Sequence, residues 1–204
     1  ETMLGNRAQV INQGVGGWTT FQIHQYLLDR MQTLQPDVLT LYIGHNDILT
    51  SVPVPYSQLY AAWKHGDQDQ ASQLGQVLGS LRLYQALRYF VTSLQPADQQ
   101  VAVPITEARV MLEEIIGLME ARGGSVILAS EGLNPSPVPL SDYNAMLAEL
   151  AETHANTRYV HTAGLLYDST DDNFWDDCHL KEPGHMIVAQ ALYDELQTMD
   201  ILEP

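Results

Sequence analysis

Hydrophobic positions along the chain follow two different spacings, and each spacing predicts a different element. The run from Val38 to Ile43 is apolar on both faces and rich in strand-forming residues, as is the run from Ser125 to Ser130. Such runs are typical of strands buried in a parallel sheet. Helical spacing of apolar residues begins instead at Phe21 and ends before Pro36, since proline cannot continue a helix.

Strands and helices alternate along most of the chain. Further helices are predicted from about 105 to 122, from about 140 to 154 and after Pro183, and further strands near 8–12 and 157–162. Strands that alternate with helices form a parallel sheet with helices on both faces. No repeat and no linker divides the sequence, so we expect one domain over residues 1–204.

Residues 51–100 interrupt this alternation. The segment is rich in glutamine and has helical patterning on both sides of residues 66–70. It is too long for an ordinary connection between two elements, so we interpret it as a helical insertion. Two interpretations are compatible with it: a lid over that edge of the sheet, or a surface addition with no part in the site. Its departure from the loop that follows Val38 to Ile43 favours the lid.

The charge of the chain narrows the range of partners. There are 25 acidic residues against 9 lysines and arginines, which gives a formal net charge of −16. Phosphate backbones and anionic membrane surfaces would be repelled, so we expect no nucleic-acid partner. No apolar run reaches the length of a transmembrane segment, and the single cysteine, Cys178, excludes an internal disulfide.

Residues with useful chemistry cluster where the predicted strands end. In a parallel α/β sheet, the working loops lie beyond the carboxyl ends of the strands. Four loops fall there, at residues 14–19, 44–47, 131–137 and 168–179. The last of these contains the sequence "DDCH", which therefore shares one edge of the sheet with "GVGG" and "GHND".

Three of these loops together hold most of an acyl-transfer site. The backbone N–H group of Gly17 and the side-chain amide of Asn46 can both bind a developing negative charge. Asp176 lies three residues before His179. In a turn, that spacing lets the carboxylate hold Nδ1 of the imidazole and leaves Nε2 as a general base.

These motifs, in this order, resemble those of the SGNH (GDSL-type) hydrolase superfamily. The sequences "NQGVGGWT", "GHND" and "DDCH" match the family's second, third and last blocks. The resemblance implies a three-layer, flavodoxin-like α/β fold and hydrolysis of carboxylic esters of lipids, sugars or small molecules, with no cofactor and no metal. It implies that Gly17 and Asn46 are oxyanion donors and that Asp176 and His179 belong to a serine triad. Because such enzymes are often exported, it also favours a secreted or periplasmic location.

The family's first block, Gly-Asp-Ser, has no counterpart in the chain. In the family, that block ends the first strand and carries the nucleophilic serine. Here only Glu1 to Arg7 precede the strand predicted near 8–12. We therefore expect a truncated chain, inactive as it stands, whose missing N-terminal fragment would be a partner. The missing strand would lie between the strand near 8–12 and the run Val38 to Ile43, and its absence would leave a slot in the sheet.

Residues beside the three motifs have plainer interpretations. His45 occupies a variable position of its motif, and Asp47 is expected to brace the loop. Cys178 is expected to be a small, partly buried residue, since adjacent side chains point in different directions and only His179 fits the base. His185 is expected to open the last helix. The remaining acids of the last loop fit the orienting role less well: Asp171, Asp172 and Asp177.

Two other functions are compatible with parts of the sequence. A non-catalytic module of the same fold, binding an acyl or glycan ligand, would need no serine. A metal-dependent hydrolase would use Asp176, Asp177, His179 and His185 as ligands. The metal hypothesis leaves the glycine and asparagine motifs unexplained, so the sequence favours ester hydrolysis.

Overall fold

The computed structural model of the chain describes residues 4–5, 7–49, 51–52, 55–57, 100–135, 138–169, 172–199 and 201. The strands of this part are β1 (Val38–Ile43), β2 (Ser51–Val52), β3 (Gln100–Val101), β4 (Ser125–Ser130) and β5 (Thr157–Val160). Its helices are α1 (Thr20–Leu34), α2 (His45–Ile48), α3 (Ile105–Glu120), α4 (Ser141–Thr153), α5 (Thr162–Asp168) and α6 (Glu182–Thr198). None of these helices is long and apolar enough to span a membrane.

A parallel sheet of three strands forms the centre of the molecule, in the order β1-β4-β5. In the register of β1 and β4, Val38 pairs with Ser125 and Ile43 pairs with Ser130, so the carboxyl ends of the two strands are level. The middle strand β4 is buried along nearly its whole length. This placement explains why its sequence is apolar on both faces.

Helices cover both faces of the sheet. Leu41 and Ile43 of β1 share a core with Leu128 of β4, and α1, α3 and α4 pack against that face. Tyr42, which points to the opposite face, packs against a second cluster contributed by α5, α6 and the loop between them: Leu166, Phe174, Leu180, Ile187 and Val188. The predicted three-layer α/β fold with helices on both faces is therefore confirmed.

Helix α1 begins and ends where its sequence predicts. The Thr19 backbone N–H donates to Gln22 Oε1 at 2.8 Å, which satisfies one of the free groups at the helix start. The helix ends at Leu34, because Gln35 has a left-handed φ of 44° and Pro36 follows. Helices α3, α4 and α6 likewise lie within a few residues of their predicted bounds.

The strand predicted near residues 8–12 is wrong. The structure gives no regular secondary structure there, and Val10 and Ile11 are 45% and 49% exposed. A strand needs a neighbour to satisfy its backbone hydrogen bonds. Among the described residues, β1 has only β4 as a neighbour, so residues 8–12 do not pair with the sheet.

Two further differences concern lengths and connections. The sequence did not predict α5, because a helix of seven residues is too short to show a clear helical period. The predicted insertion at 51–100 lies mostly outside the described residues. Its two ends are described, and they pair as the antiparallel strands β2 and β3. The insertion therefore leaves and returns at one place, next to α2, where the Val103 N–H donates to the Asp47 carbonyl at 3.1 Å.

Gly44 should tolerate no side chain. Its φ is 138°, and an added Cβ would lie 3.0 Å from Tyr143 Cδ1 and 3.1 Å from Leu140 Cδ2. We expect Gly44→Ala to lower the free energy of unfolding by about 3 kcal/mol, through backbone strain and overpacking. Urea denaturation would measure this. Gly117→Ala is the matched control, since nothing lies within 4 Å of its added Cβ in α3, and it should stabilise by up to about 1 kcal/mol. Equal effects of the two substitutions would contradict the expectation.

Candidate active site

The glycine and asparagine motifs meet at the carboxyl edge of the sheet. Gly44 ends β1 with a sharp turn, and Asn46 follows in the short helix α2. The Asn46 side chain donates from Nδ2 to the carbonyl oxygen of Trp18 at 3.1 Å. This contact places the amide next to the backbone of Trp18, the residue after Gly17.

Gly17 has the backbone conformation of a tight loop. Its φ is 83°, in the left-handed region, and the residue is exposed to solvent. The loop is fixed on both sides of it. Gly14 donates its N–H to Asn12 Oδ1 at 2.9 Å, and the Trp18 ring packs on Tyr26 with 5.5 Å between ring centroids. The Gly17 N–H therefore lies at the surface of a braced turn.

A buried carboxylate anchors the asparagine turn from one side. Asp47 is 1% exposed. It accepts hydrogen bonds from the Thr20 N–H at 2.7 Å, from the Thr20 hydroxyl at 2.6 Å and from the Tyr143 hydroxyl at 2.6 Å. Burial raises the pKa of Asp47, while the bonds from Thr20 and Tyr143 oppose that rise. The structure thus has Asp47 as a brace, as predicted.

A second carboxylate, which the sequence did not single out, anchors the same turn from the other side. Glu131 directly follows β4, and its Oε2 accepts the His45 N–H at 2.7 Å. Burial raises the pKa of Glu131 to about 7. The sequence contained one signal for this residue, since it opens one of the loops at the predicted working edge of the sheet.

The acid and the imidazole of "DDCH" are in direct contact. His179 Nδ1 lies 2.8 Å from Asp176 Oδ2 and 3.1 Å from Oδ1. The backbone N–H groups of Cys178 and His179 also donate to Asp176 Oδ1, at 3.0 Å and 2.8 Å. These bonds hold the pKa of Asp176 well below its usual range, and the bond from the Cys178 N–H has the largest effect. Asp176 therefore stays ionised and fixes the Nδ1–H tautomer of His179.

Contacts with the rest of the fold hold this loop in place. The Trp175 N–H donates to the His179 carbonyl at 2.8 Å, and Phe174 forms a β-bridge with Leu180. Asn134, in the loop after β4, donates its N–H to the Asp177 carbonyl at 2.9 Å and its side-chain amide to the Asp176 carbonyl at 3.4 Å. The loops that follow β4 and α5 are thereby tied together. The imidazole itself is left open, with a side chain that is 76% exposed.

His45 lies between the asparagine turn and the loop of His179. Its charge interacts with those of Asp177, His179 and Asp176, but burial has the larger effect and lowers the pKa of His45. Its Nδ1 is buried and has no hydrogen-bond partner among the described residues. The charges of the last loop therefore act on the asparagine turn, although the two motifs are far apart in sequence.

Cys178 is not suited to act as a nucleophile or a strong metal ligand. Its Sγ lies 3.5 Å from His179 Nδ1, but burial raises the pKa of the thiol to about 12, and the thiolate is the reactive form. Among the described residues, the potential ligand atoms of Asp176, Cys178 and His179 lie within 4.8 Å of one another. Asp177 and His185, which the metal hypothesis requires, are not part of that group. With a protonated thiol and an Asp176 already bound to N–H groups, this donor set fits a metal poorly.

The remaining residues of the loop have structural contacts. His185 lies in the first turn of α6, where its N–H donates to the Lys181 carbonyl at 3.0 Å. Asp172 forms an ion pair with the Lys181 ammonium group, and Asp171 lies outside the described residues. The structure therefore brings Asp176 into contact with His179, and it brings Asn46 into contact with Trp18, the residue after Gly17. Their catalytic roles stay predictions.

Comparison with known proteins agrees with the motifs. The model of the GDSL-like lipase/acylhydrolase family matches residues 2–187. The comparison with curated proteins gives no significant match.

Several solved structures share the fold. Axe2, an acetylxylan esterase from Geobacillus stearothermophilus, is 19% identical with a TM-score of 0.56, over 92% of this chain and 71% of that one. The acetyl xylan esterase AlAXEase is 14% identical with a TM-score of 0.61, over 92% and 81% of the two chains. A family 3 carbohydrate esterase from Clostridium thermocellum is 20% identical with a TM-score of 0.52, over 92% and 71%.

Replacing Asp47 should test the anchoring of the asparagine turn. Asp47→Ala would leave the Thr20 N–H and the Tyr143 hydroxyl without their buried acceptor. We expect the free energy of unfolding to fall by about 3 kcal/mol, measured by urea denaturation. Asp29→Ala is the control, because the Asp29 side chain is 76% exposed, and it should change stability by less than about 0.5 kcal/mol. A loss at Asp47 as small as that of the control would show that its carboxylate does not brace the turn.

The raised pKa of Glu131 should make stability depend on pH. Its pKa rises from 4.5 to about 7 on folding, so the folded chain holds this proton more tightly than the unfolded chain. That contribution is complete below the unfolded pKa and is lost as the pH rises through the folded pKa. Relative to Glu131→Gln, the wild-type chain should therefore lose about 2 kcal/mol of stability between pH 5 and pH 8. The free energy of unfolding of both proteins would be measured by urea denaturation across this pH range. The same pH dependence in the two proteins would rule out a raised pKa of Glu131.

Proposed function

Because the chain belongs to the GDSL-like lipase/acylhydrolase family, we propose that it supplies the base and the oxyanion site of a Ser-His-Asp ester hydrolase. In this proposal the nucleophilic serine comes from a segment outside the 204 residues. The observation that carries the proposal is the contact between His179 Nδ1 and Asp176 Oδ2, at 2.8 Å. It leaves Nε2 of an exposed imidazole as the atom that can take a proton.

The proposed reaction uses the four predicted site residues. The serine hydroxyl attacks the ester carbonyl while Nε2 of His179 accepts its proton, and Asp176 stabilises the resulting imidazolium. The negative charge that develops on the carbonyl oxygen is bound by the Gly17 N–H and the Asn46 amide. The imidazolium then protonates the leaving alcohol, and a water molecule hydrolyses the acyl-enzyme by the same sequence of proton transfers.

The open edge of the sheet supports a serine-bearing segment that adds a strand. Among the described residues, β1 pairs with β4 on one side and with no strand on the other. Its sequence, "VLTLYI", has no lysine, proline or charge, although native edge strands usually carry such residues to prevent unwanted pairing. A strand placed there would end beside the carboxyl end of β1, where Asn46 and Gly17 lie.

Several apolar side chains of the chain are exposed to solvent. Val10, Ile11 and Val15 are each at least 45% exposed, and Met186 in α6 is 52% exposed. An added strand that paired with residues 8–12 would cover part of this apolar surface, which is favourable because apolar area leaves water.

A serine nucleophile also agrees with one of the solved relatives. A structure of the Geobacillus stearothermophilus acetylxylan esterase is that of a catalytic mutant with alanine in place of a serine. Among the described hydrogen bonds of the present chain, none joins a serine to His179.

Since that relative is an acetyl-xylooligosaccharide esterase, acetyl esters of xylo-oligosaccharides are the first natural substrates to test, alongside p-nitrophenyl acetate as a small, general one.

The activity of the chain alone should differ from that of a serine-complete form. That form is the chain joined to an N-terminal segment that adds the strand and Gly-Asp-Ser, taken from the gene upstream of the codon for Glu1. We expect no hydrolysis of p-nitrophenyl acetate above the uncatalysed rate for the chain alone and measurable turnover for the serine-complete form. In the latter, His179→Ala should lower kcat by at least about 1,000-fold and Asn46→Ala by about 100-fold.

Controls make this experiment decisive. His185→Ala should retain activity, because its backbone contact with Lys181 is independent of the side chain. Hydrolysis by the chain alone that is lost on His179→Ala would show that no further serine is needed. A serine-complete form that binds acetylated oligosaccharide without hydrolysing it would instead identify a non-catalytic binding module.

A further inference from the structure

We propose that Glu131 is a positioning residue, whose carboxylate holds the Asn46 amide in the orientation that meets the developing oxyanion. This inference rests on the proposed ester hydrolysis and adds a residue to its site. Neither the sequence motifs nor the family resemblance assigns a role to Glu131, which is 85 positions from Asn46 in sequence.

A direct hydrogen bond joins Glu131 to the asparagine turn. Glu131 Oε2 lies 2.7 Å from the backbone nitrogen of His45, the residue immediately before Asn46. A hydrogen bond of this length is short and directional. It fixes the peptide between Gly44 and His45 at the start of α2, one residue before the backbone from which the Asn46 side chain leaves.

The backbone of Glu131 is itself held firmly. Its backbone N–H donates to Asn144 Oδ1 at 3.2 Å, and its carbonyl accepts from Asn144 Nδ2 at 3.0 Å. Asn144 is only 8% exposed and belongs to α4. The backbone of Glu131, from which the carboxylate extends, is thus tied to α4 through a two-point contact, so the side chain can transmit the position of β4 and α4 to the turn.

Asn46 lies between two neighbours that are both anchored by hydrogen bonds. On its N-terminal side, His45 is tied to Glu131, and on its C-terminal side, Asp47 is tied to Thr20 and Tyr143. The amide can then reach its acceptor without a search over backbone conformations. An oxyanion donor contributes most when it is held in place before the reaction, and a displacement of about 1 Å removes much of the effect.

The burial of the Glu131 carboxyl group favours a positioning role over a purely structural one. The carboxylate lies in a site where burial raises its pKa to about 7, so its ionised form is costly there. Asp47 already ties α2 to the core. A second, energetically unfavourable carboxylate beside the same four-residue helix is accounted for if the position of Asn46 must be exact.

The contact can be tested on the chain as it is. The measurement is hydrogen exchange of the His45 amide by NMR, in the wild type and in Glu131→Ala, Glu131→Gln and Glu149→Ala. We expect Glu131→Ala to lower the protection of this amide by at least about 10-fold and Glu131→Gln to retain it, since the glutamine carbonyl can still accept. Glu149→Ala is the matched control, because Glu149 is 61% exposed and pairs with Arg109. Unchanged protection in Glu131→Ala would overturn the inference.

The catalytic consequence needs the serine-complete form and a double-mutant cycle. With p-nitrophenyl acetate, Glu131→Ala should lower kcat by about 10- to 100-fold with KM within about 2-fold, and Glu131→Gln should restore most of kcat. In the Asn46→Ala background, Glu131→Ala should cost less than about 3-fold, because its effect passes through the missing amide.

The outcomes separate this inference from the proposed function. If Asn46→Ala lowers kcat but Glu131→Ala does not, the positioning role is wrong and the ester hydrolase stands. If the two losses simply multiply in the double variant, Glu131 acts independently of Asn46 and the positioning role is also wrong. If Asn46→Ala retains full kcat, the oxyanion assignment falls and this inference falls with it.

Discussion

The buried carboxylate of Asp47 is the interaction on which the working edge of the molecule depends. Within one cluster it accepts hydrogen bonds from Thr20 at the start of α1 and from Tyr143 in α4, while its own backbone belongs to α2. Helices α1, α2 and α4 are therefore joined near the point where β1 ends. Since a buried carboxylate is costly without partners, this arrangement has to be complete, and it fixes Asn46 as a consequence.

Around that cluster the fold combines a closed half and an open half. On one face, α1, α3 and α4 enclose a continuous core with the inner residues of β1 and β4. On the other face, α6 is only partly covered, and β1 presents a bare apolar edge among the described residues. Both halves are stabilised by burial of apolar side chains, but only in the first half is the apolar surface fully covered by the described residues. The proposed strand would complete the second half and bring a serine to the site in a single step.

The two parts of the candidate site are built with different degrees of rigidity. The asparagine turn, which holds the proposed oxyanion donor, is braced by the buried Asp47 and by Glu131. The base side is an exposed loop, in which Asp176 is fixed mainly by backbone N–H groups of its own turn and His179 is 76% exposed. A fixed donor and an accessible base suit acyl transfer, since charge must be met at a defined point while the proton acceptor must reach both the nucleophile and the leaving group.

Local and periodic features could be predicted from the chain alone: the apolar strands β1 and β4, the bounds of α1, and the spacing that puts Asp176 in contact with His179. Each of these depends on residues close together in the chain. The remaining features were revealed by the tertiary structure. It showed that residues 8–12 do not form a strand, because pairing requires a neighbour rather than a propensity. It also identified Glu131 as a brace, because its partner His45 is 86 residues away, and no local pattern specifies a contact between such distant residues.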